Sequence, residues 1–163
     1  MPSDTWTAPA DWTTNEVVTA AKLNQQIRDN MYALWLALTT GSAAITEMFS
    51  SGVYTPALTN GTNVAASTAY QCQWMRIGDV VTVSGKFDVD PTSASVLTHL
   101  SITLPVASNF GAEEDVGGAC SATGYGAAGG IRGNIAANEA DVWCFPVSAL
   151  NQSWAFVFTY QVI

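Results

Sequence analysis

The chain has 163 residues, enough for one domain with a small appendage. Its net charge is −8, and its five basic residues, Lys22, Arg28, Arg76, Lys86 and Arg132, are scattered, so it lacks the basic patch that neutralises phosphates or meets anionic lipid; nucleic acid and membrane surfaces are not expected partners. Only 11% of residues are charged, which is low for a surface facing water and suits surface buried between subunits or an extracellular type of β-protein.

Residues 1–18 are rich in Thr, Pro, Asp and Ala and have no period; prolines at positions 2 and 9 rule out a continuous helix, so an extended arm is expected. The first residues have neither a basic region nor an apolar core of the secretory type, and no apolar run approaches the ~20 residues that span a bilayer. Synthesis in a cytoplasm, without membrane insertion, is the expectation. Trp6 and Trp12 are large amphipathic rings in a polar arm. They suit insertion into pockets on another protein, or folding back onto their own domain.

Residues 19–40 carry the strongest helix signal. Thr19 is placed to accept a hydrogen bond from a first-turn amide, and Val18 and Leu23 can staple the entry. Leu23, Ile27, Met31, Leu34 and Leu38 recur at spacings of three and four, which puts them on one helical face. A lone helix of this length is marginal in water until that face is covered. Either the helix packs on its own chain or it forms a seam between copies. In the second case Leu23, Ile27, Met31, Leu34 and Leu38 line the seam with Asn30 among them, where a buried amide fixes alignment at some cost in stability.

Residues 41–52 read as a small-residue linker, and residues 53–163 as an antiparallel β-sandwich or barrel, giving a mainly β protein with one helix. The clearest hairpin is residues 70–77 and 80–89 around Gly78-Asp79, with Pro91 ending it. Shorter strands are expected at 100–104, 113–123, 130–136 and 141–147. In the closing strand, residues 153–162, Trp154, Phe156, Phe158 and Tyr160 alternate with Ala155, Val157, Thr159 and Gln161. Cys72, Cys120 and Cys144 are an odd number at wide spacing, which reads as buried small hydrophobes rather than a disulfide framework or metal site.

Chemistry is sparse. Residues 124–129, GYGAAG, match a dinucleotide-binding fingerprint in letters only, because a β-like segment rather than a helix comes next. The acidic run Glu113, Glu114 and Asp115 lacks the alternating spacing of a calcium loop. His99 is the only histidine, and a serine–histidine–carboxylate relay is not expected from one histidine in a Ser/Thr-rich loop. No cofactor, metal or catalytic group is expected. If the β-domain binds outward, the loops should do it, with Asn109, Glu113, Glu114, Asp115, Tyr125 and Asn151 as candidate contacts and Tyr125 able to stack on a sugar ring.

Two stretches carry a family likeness. Trp12, then EVVTAAKLN at 16–24 and IRDN at 27–30, resembles the N-terminal region of tailed-bacteriophage virion proteins. GVYTPALTN at 52–60 and YQCQWMRIGDVVTVSG at 70–85, with PVASN at 105–109 and FTYQVI at 158–163, resembles C-terminal domains of phage and prophage tail fibres. The resemblance implies a non-enzymatic virion fibre, usually a homotrimer. Its N-terminal arm would attach to a capsid, collar or tail protein, and its β-domain would point outward toward a host surface glycan. It carries no catalytic or receptor-contact residue over to this chain. A head-decoration or collar-fibre protein without a receptor role, and a stand-alone glycan-binding β-module, are the alternatives.

Overall fold

The computed structural model describes residues 17–40 and 49–163, which fall into two compact units divided between Ser50 and Ser51. Trp6 and Trp12 lie outside the described residues. Among the described residues strands take up about half and helix about 15%, so the protein is mainly β, as its alternating sequence leads one to expect.

In the first unit one helix runs as α1 (Ala20–Leu23), a π-helical stretch (Asn24–Asp29) and α2 (Asn30–Thr40). Thr19 caps it in extended conformation, its hydroxyl accepting from Lys22 N at 3.3 Å and its carbonyl from Leu23 N at 3.0 Å. The π stretch was not legible in the sequence. Each π turn takes up more residues than an α turn, so the stretch rotates α2 relative to α1. Leu23, Ile27, Met31 and Leu34 remain exposed, whereas Asn30 is buried at 6% exposure and stands off that stripe, its Nδ2 donating to Gln26 O at 3.4 Å. Asn30 therefore does not share the exposed face on which the α-helical spacing placed it. Leu38 belongs to the helix by its backbone, and its side chain lies outside the described residues.

The second unit is a curled antiparallel sheet. Its strands are β1 (Phe49–Tyr54), β2 (Leu58–Asn60), β3 (Val64–Ala69), β4 (Cys72–Ile77), β5 (Val80–Pro91), β6 (Thr98–Ile102), β7 (Val116–Ala122), β8 (Ala128–Asn134), β9 (Glu139–Cys144) and β10 (Gln152–Gln161). The order is β1-β4-β5-β10-β7-β8-β9-β6-β2, with β3 paired to β5 as well. Strand β5 is long enough to hold two partners on one side: β4 along Val80–Ser84 and β3 along its far half, from Phe87 to Pro91. Near the break between them the Tyr70 hydroxyl donates to Asp88 Oδ2 at 2.8 Å, and the Lys86 ammonium sits 4.1 Å from the Tyr70 ring centre. The turn after β2 closes the curl. Gly61 N donates to His99 O and His99 N to Thr62 O, while Thr92 N donates to Asn63 O, so one short turn is tied both to β6 and to the end of β5.

The β4–β5 hairpin forms as its turn dictates: Gly78 takes φ +60° at the first turn position, a conformation open to glycine at no steric cost. Of the stretch 41–52 expected as a linker, residues 41–48 lie outside the described residues, and from Phe49 onward the chain is strand β1, which lies beside β4. Gly52, which looked like linker composition, is there for a close approach. A Cβ at that position would sit 3.0 Å from the Trp74 indole nitrogen.

One face of the sheet makes the core. Trp154, Phe158, Tyr160, Phe87, Val81, Val83, Val89, Leu100, Ile102 and Val142 are all essentially inaccessible. Phe156 and Phe158 stack at 5.8 Å, Phe87 lies 5.7 Å from Phe156, and Phe110 meets Tyr160 edge-on at 5.9 Å, geometries that add to area burial. All three cysteines are buried and unbridged. Burial pushes the Cys120 thiol up to about 12, with the neighbouring Cys144 adding to the shift, and burial pushes Cys144 up to about 11. Alkylation requires the thiolate. Native protein should therefore resist iodoacetamide at pH 8 and take up three equivalents once unfolded in urea, read by intact mass; prompt labelling of the native chain at Cys120 or Cys144 would contradict this packing.

Candidate binding surface

The strand registers divide the loops between the two ends of the curled sheet. The β5–β6, β7–β8 and β9–β10 connections share one end, because Thr98 pairs with Cys144, Gly129 with Cys144, and Trp154 with Ala122. Tyr125 and Asn151 are at this end, both exposed. Asn109, Glu113, Glu114 and Asp115 precede β7, whose first residue Val116 pairs with Tyr160 near the end of β10, so they lie at the opposite end. The candidate contacts therefore form two separate groups and not one surface.

At the far end the acidic run is a single 3-10 turn, Glu113–Asp115. The Asp115 carboxylate accepts from Gly111 N at 2.8 Å and Ala112 N at 2.9 Å, while Glu113 pairs with Arg132 at 2.7 Å. These carboxylates close a turn and an ion pair. No group of three or more potential metal-ligating side chains is gathered among the described residues. A hollow of about 330 Å³ lies beside them, lined by Asn109, Asn138 and Glu139 among others. Burial and the nearby Asp141 charge both raise the Glu139 carboxyl above its ordinary range.

The near end is apolar for a solvent-facing set of loops. Val96, Leu97, Tyr125, Phe145, Val147 and Leu150 are all exposed there, Leu150 at 74%. Of the run 124–129, the first four residues lie in the β7–β8 turn, with Gly124 and Gly126 at positive φ, and Ala128 and Gly129 already open β8, so the run presents no helix N-terminus to a phosphate.

Just inside that end, the outer face of β6, β9 and β8 gathers a cluster that the sequence did not reveal. His99 is paired with Trp143, and Trp143 with Gly130. The His99 and Trp143 rings stack at 4.3 Å and 22°, and the Arg132 guanidinium lies 4.8 Å from the indole centre. Gly130 contributes no side chain, and the space where a Cβ would stand is open. The result is a shallow slot of about 400 Å³ lined by Leu97, Gly130, Ile131, Arg132 and Trp143. The indole N–H is buried without an acceptor among the described residues. One row along, Asp141 is buried and central. Its Oδ1 accepts from Ser101 Oγ at 2.6 Å and Asn134 Nδ2 at 3.1 Å, and its Oδ2 lies 3.1 Å from His99 Nε2, outside hydrogen-bond direction. Serine, histidine and carboxylate do meet here, but with the carboxylate in the middle. A nucleophile relay needs the imidazole between the other two, so this order gives Ser101 no base.

Comparison with known families, curated proteins and solved structures finds no match.

The geometry thus offers a candidate recognition surface: an aromatic wall with the Arg132 guanidinium against it, and an apolar loop end beside it. Trp143 and Arg132 escaped sequence reasoning because their partnership depends on β8 pairing with β9 and β9 with β6. The one sequence signal was a tryptophan out of phase with its inward neighbours Val142 and Cys144.

Proposed function

We propose that this chain is a structural subunit of a tailed-phage virion fibre, self-associating as a homotrimer, joined to a capsid, collar or tail protein through residues 1–18 and displaying its β-domain outward. The observation that carries the reading is the exposed helical stripe: Leu23, Ile27, Met31 and Leu34 are each at least 45% accessible on the single chain. Apolar residues at helical spacing that stay in water call for a partner helix. The likeness of residues 12–30 and 52–85 to phage virion proteins supplies the setting, a particle assembled in the host cytoplasm. The reading assigns the chain no catalytic step and no cofactor.

Within that reading the end bearing Tyr125, Asn151 and the Trp143 slot is the better receptor candidate. It combines the aromatic wall of Trp143 with the Arg132 guanidinium that lines the same slot and can donate to hydroxyl groups. The same observation favours the second reading, a stand-alone glycan-binding module. Native mass spectrometry of the full chain separates the two. A homo-oligomer is expected, and a variant lacking residues 1–11 should keep the same stoichiometry yet fail to join particles. A monomeric full-length chain would sink the fibre reading and leave the module.

A further inference from the structure

We infer that the outer face of β4, β5, β10 and β7 is a contact between β-domains of neighbouring copies, resting on the proposal that the chain self-associates. The registers build the face row by row. Gln73 pairs with Ser84, Ser84 with Val157, and Val157 with Ala119; in the next row Met75 pairs with Thr82, Thr82 with Thr159, and Thr159 with Gly117. Each of these positions faces away from the core, and seven of the eight are exposed, with Met75 at 51% and Val157 at 48%. Not one carries a charge. Beyond them, at the hairpin end, Ile77 and Val80 extend the apolar character at 52% and 47%.

The rest of the unit is acidic. Residues 51–163 hold eight acidic and three basic side chains. On the outer face these lie around or beyond the patch: Lys86 one outward position past Ser84 on β5, then Asp88 and Asp90, and Arg132 beside Gly117 on β8, then Glu139 and Asp141 on β9. A sheet face turned to water ordinarily carries charged side chains, which keep it soluble and unpaired. Their absence from one patch selects for a partner. A basic partner would be met by carboxylates on the patch, whereas an equally acidic partner must be met where there are none, since like charges brought together repel. The partner of the same sign that is always present is a second copy.

The patch measures roughly 15 Å each way, from four strands about 4.8 Å apart and rows about 7 Å apart. That is a few hundred Å², large enough to mark a contact but below the ~800 Å² each partner buries in a stand-alone interface. It therefore acts on copies already held together at another place, which the helical stripe supplies.

The test uses the full chain. A photo-crosslinking amino acid at position 157 should join copies within the wild-type oligomer, and the double variant Ser84→Glu with Val157→Glu should keep its strand circular dichroism while dissociating at a concentration at least about tenfold higher than wild type does. Oligomeric wild type with no crosslink between copies, or with crosslinks only to its own helix or arm, overturns the face assignment and leaves the fibre reading standing. The same holds if the double glutamate variant dissociates as wild type does. A monomeric wild type overturns both.

Discussion

Replacing Trp154 by alanine should remove a large part of the β-domain's stability, about 3–5 kcal/mol, and lower its melting temperature by roughly 10–25 °C. Trp154 is completely buried and lies on β10, which is paired on one side to Phe87 of β5 and on the other to Ala122 of β7. Neither neighbour can move into the space, because each is fixed by its own ladder. A small domain has only about 5–15 kcal/mol in total, so the variant will stand near the edge of folding at physiological temperature. Trp154→Phe should cost much less. It keeps most of the ring and deletes an indole N–H that has no acceptor among the described residues, a group that is itself unfavourable when buried. Thermal unfolding followed by circular dichroism measures both. A drop of only a few degrees for the alanine variant would show that this face of β10 is not the centre of the core.

That prediction was already within reach of the sequence, since Trp154, Phe156, Phe158 and Tyr160 alternate with small or polar residues over ten positions and period two leaves one arrangement that buries them. The β4–β5 hairpin was legible for a different reason. Its turn residues and its alternation agree, and local agreement of that kind needs no distant partner. The helix cap at Thr19 was legible too, because a cap is satisfied within its own turn.

Other elements depend on distant partners and were hidden accordingly. Strands β2 and β3, LTN and VAASTA, carry too few large apolar residues for a period to show. They are strands because β6 and β5 offer them edges. Strand β1 looked like linker because Gly52 makes room for Trp74, a residue more than twenty positions away. The outer-face cluster of His99, Trp143, Gly130 and Arg132 is the strongest case. No two of those residues on different strands are neighbours until the strand order is known, and a sequence with one histidine and no repeated motif gives no hint of it. The split of the candidate loops between two ends has the same origin: chain order says nothing about which end of an antiparallel strand a loop occupies, whereas register does.

Replacing Ile27 by aspartate should abolish self-association while leaving each chain folded. Ile27 is 50% exposed on the single chain, in the π-helical stretch Asn24–Asp29, with Leu23 before it and Met31 and Leu34 after it on the accessible side. In an isolated chain an aspartate there stays in water, and its helix propensity is close to that of isoleucine, so the intrinsic penalty is a few tenths of a kcal/mol. In a seam between copies the carboxylate would be driven into apolar surroundings. Lys22 and Arg28 are the helix's only bases, and Arg28 is already paired with Asp29 at 3.1 Å. A buried charge without a counter-ion costs several kcal/mol, and in a homo-oligomer every copy brings one, so like charges also meet. Each 1.4 kcal/mol weakens association about tenfold, so the affinity falls by orders of magnitude. Sedimentation should then show a monomer at concentrations where wild type is assembled, with the strand signature and the β-domain's own unfolding transition retained. Ile27→Leu, which keeps the apolar surface, should assemble like wild type. If the aspartate variant keeps wild-type mass in solution and a wild-type melt, the helical stripe is not the seam, and the exposure of Leu23, Ile27, Met31 and Leu34 requires another occupant.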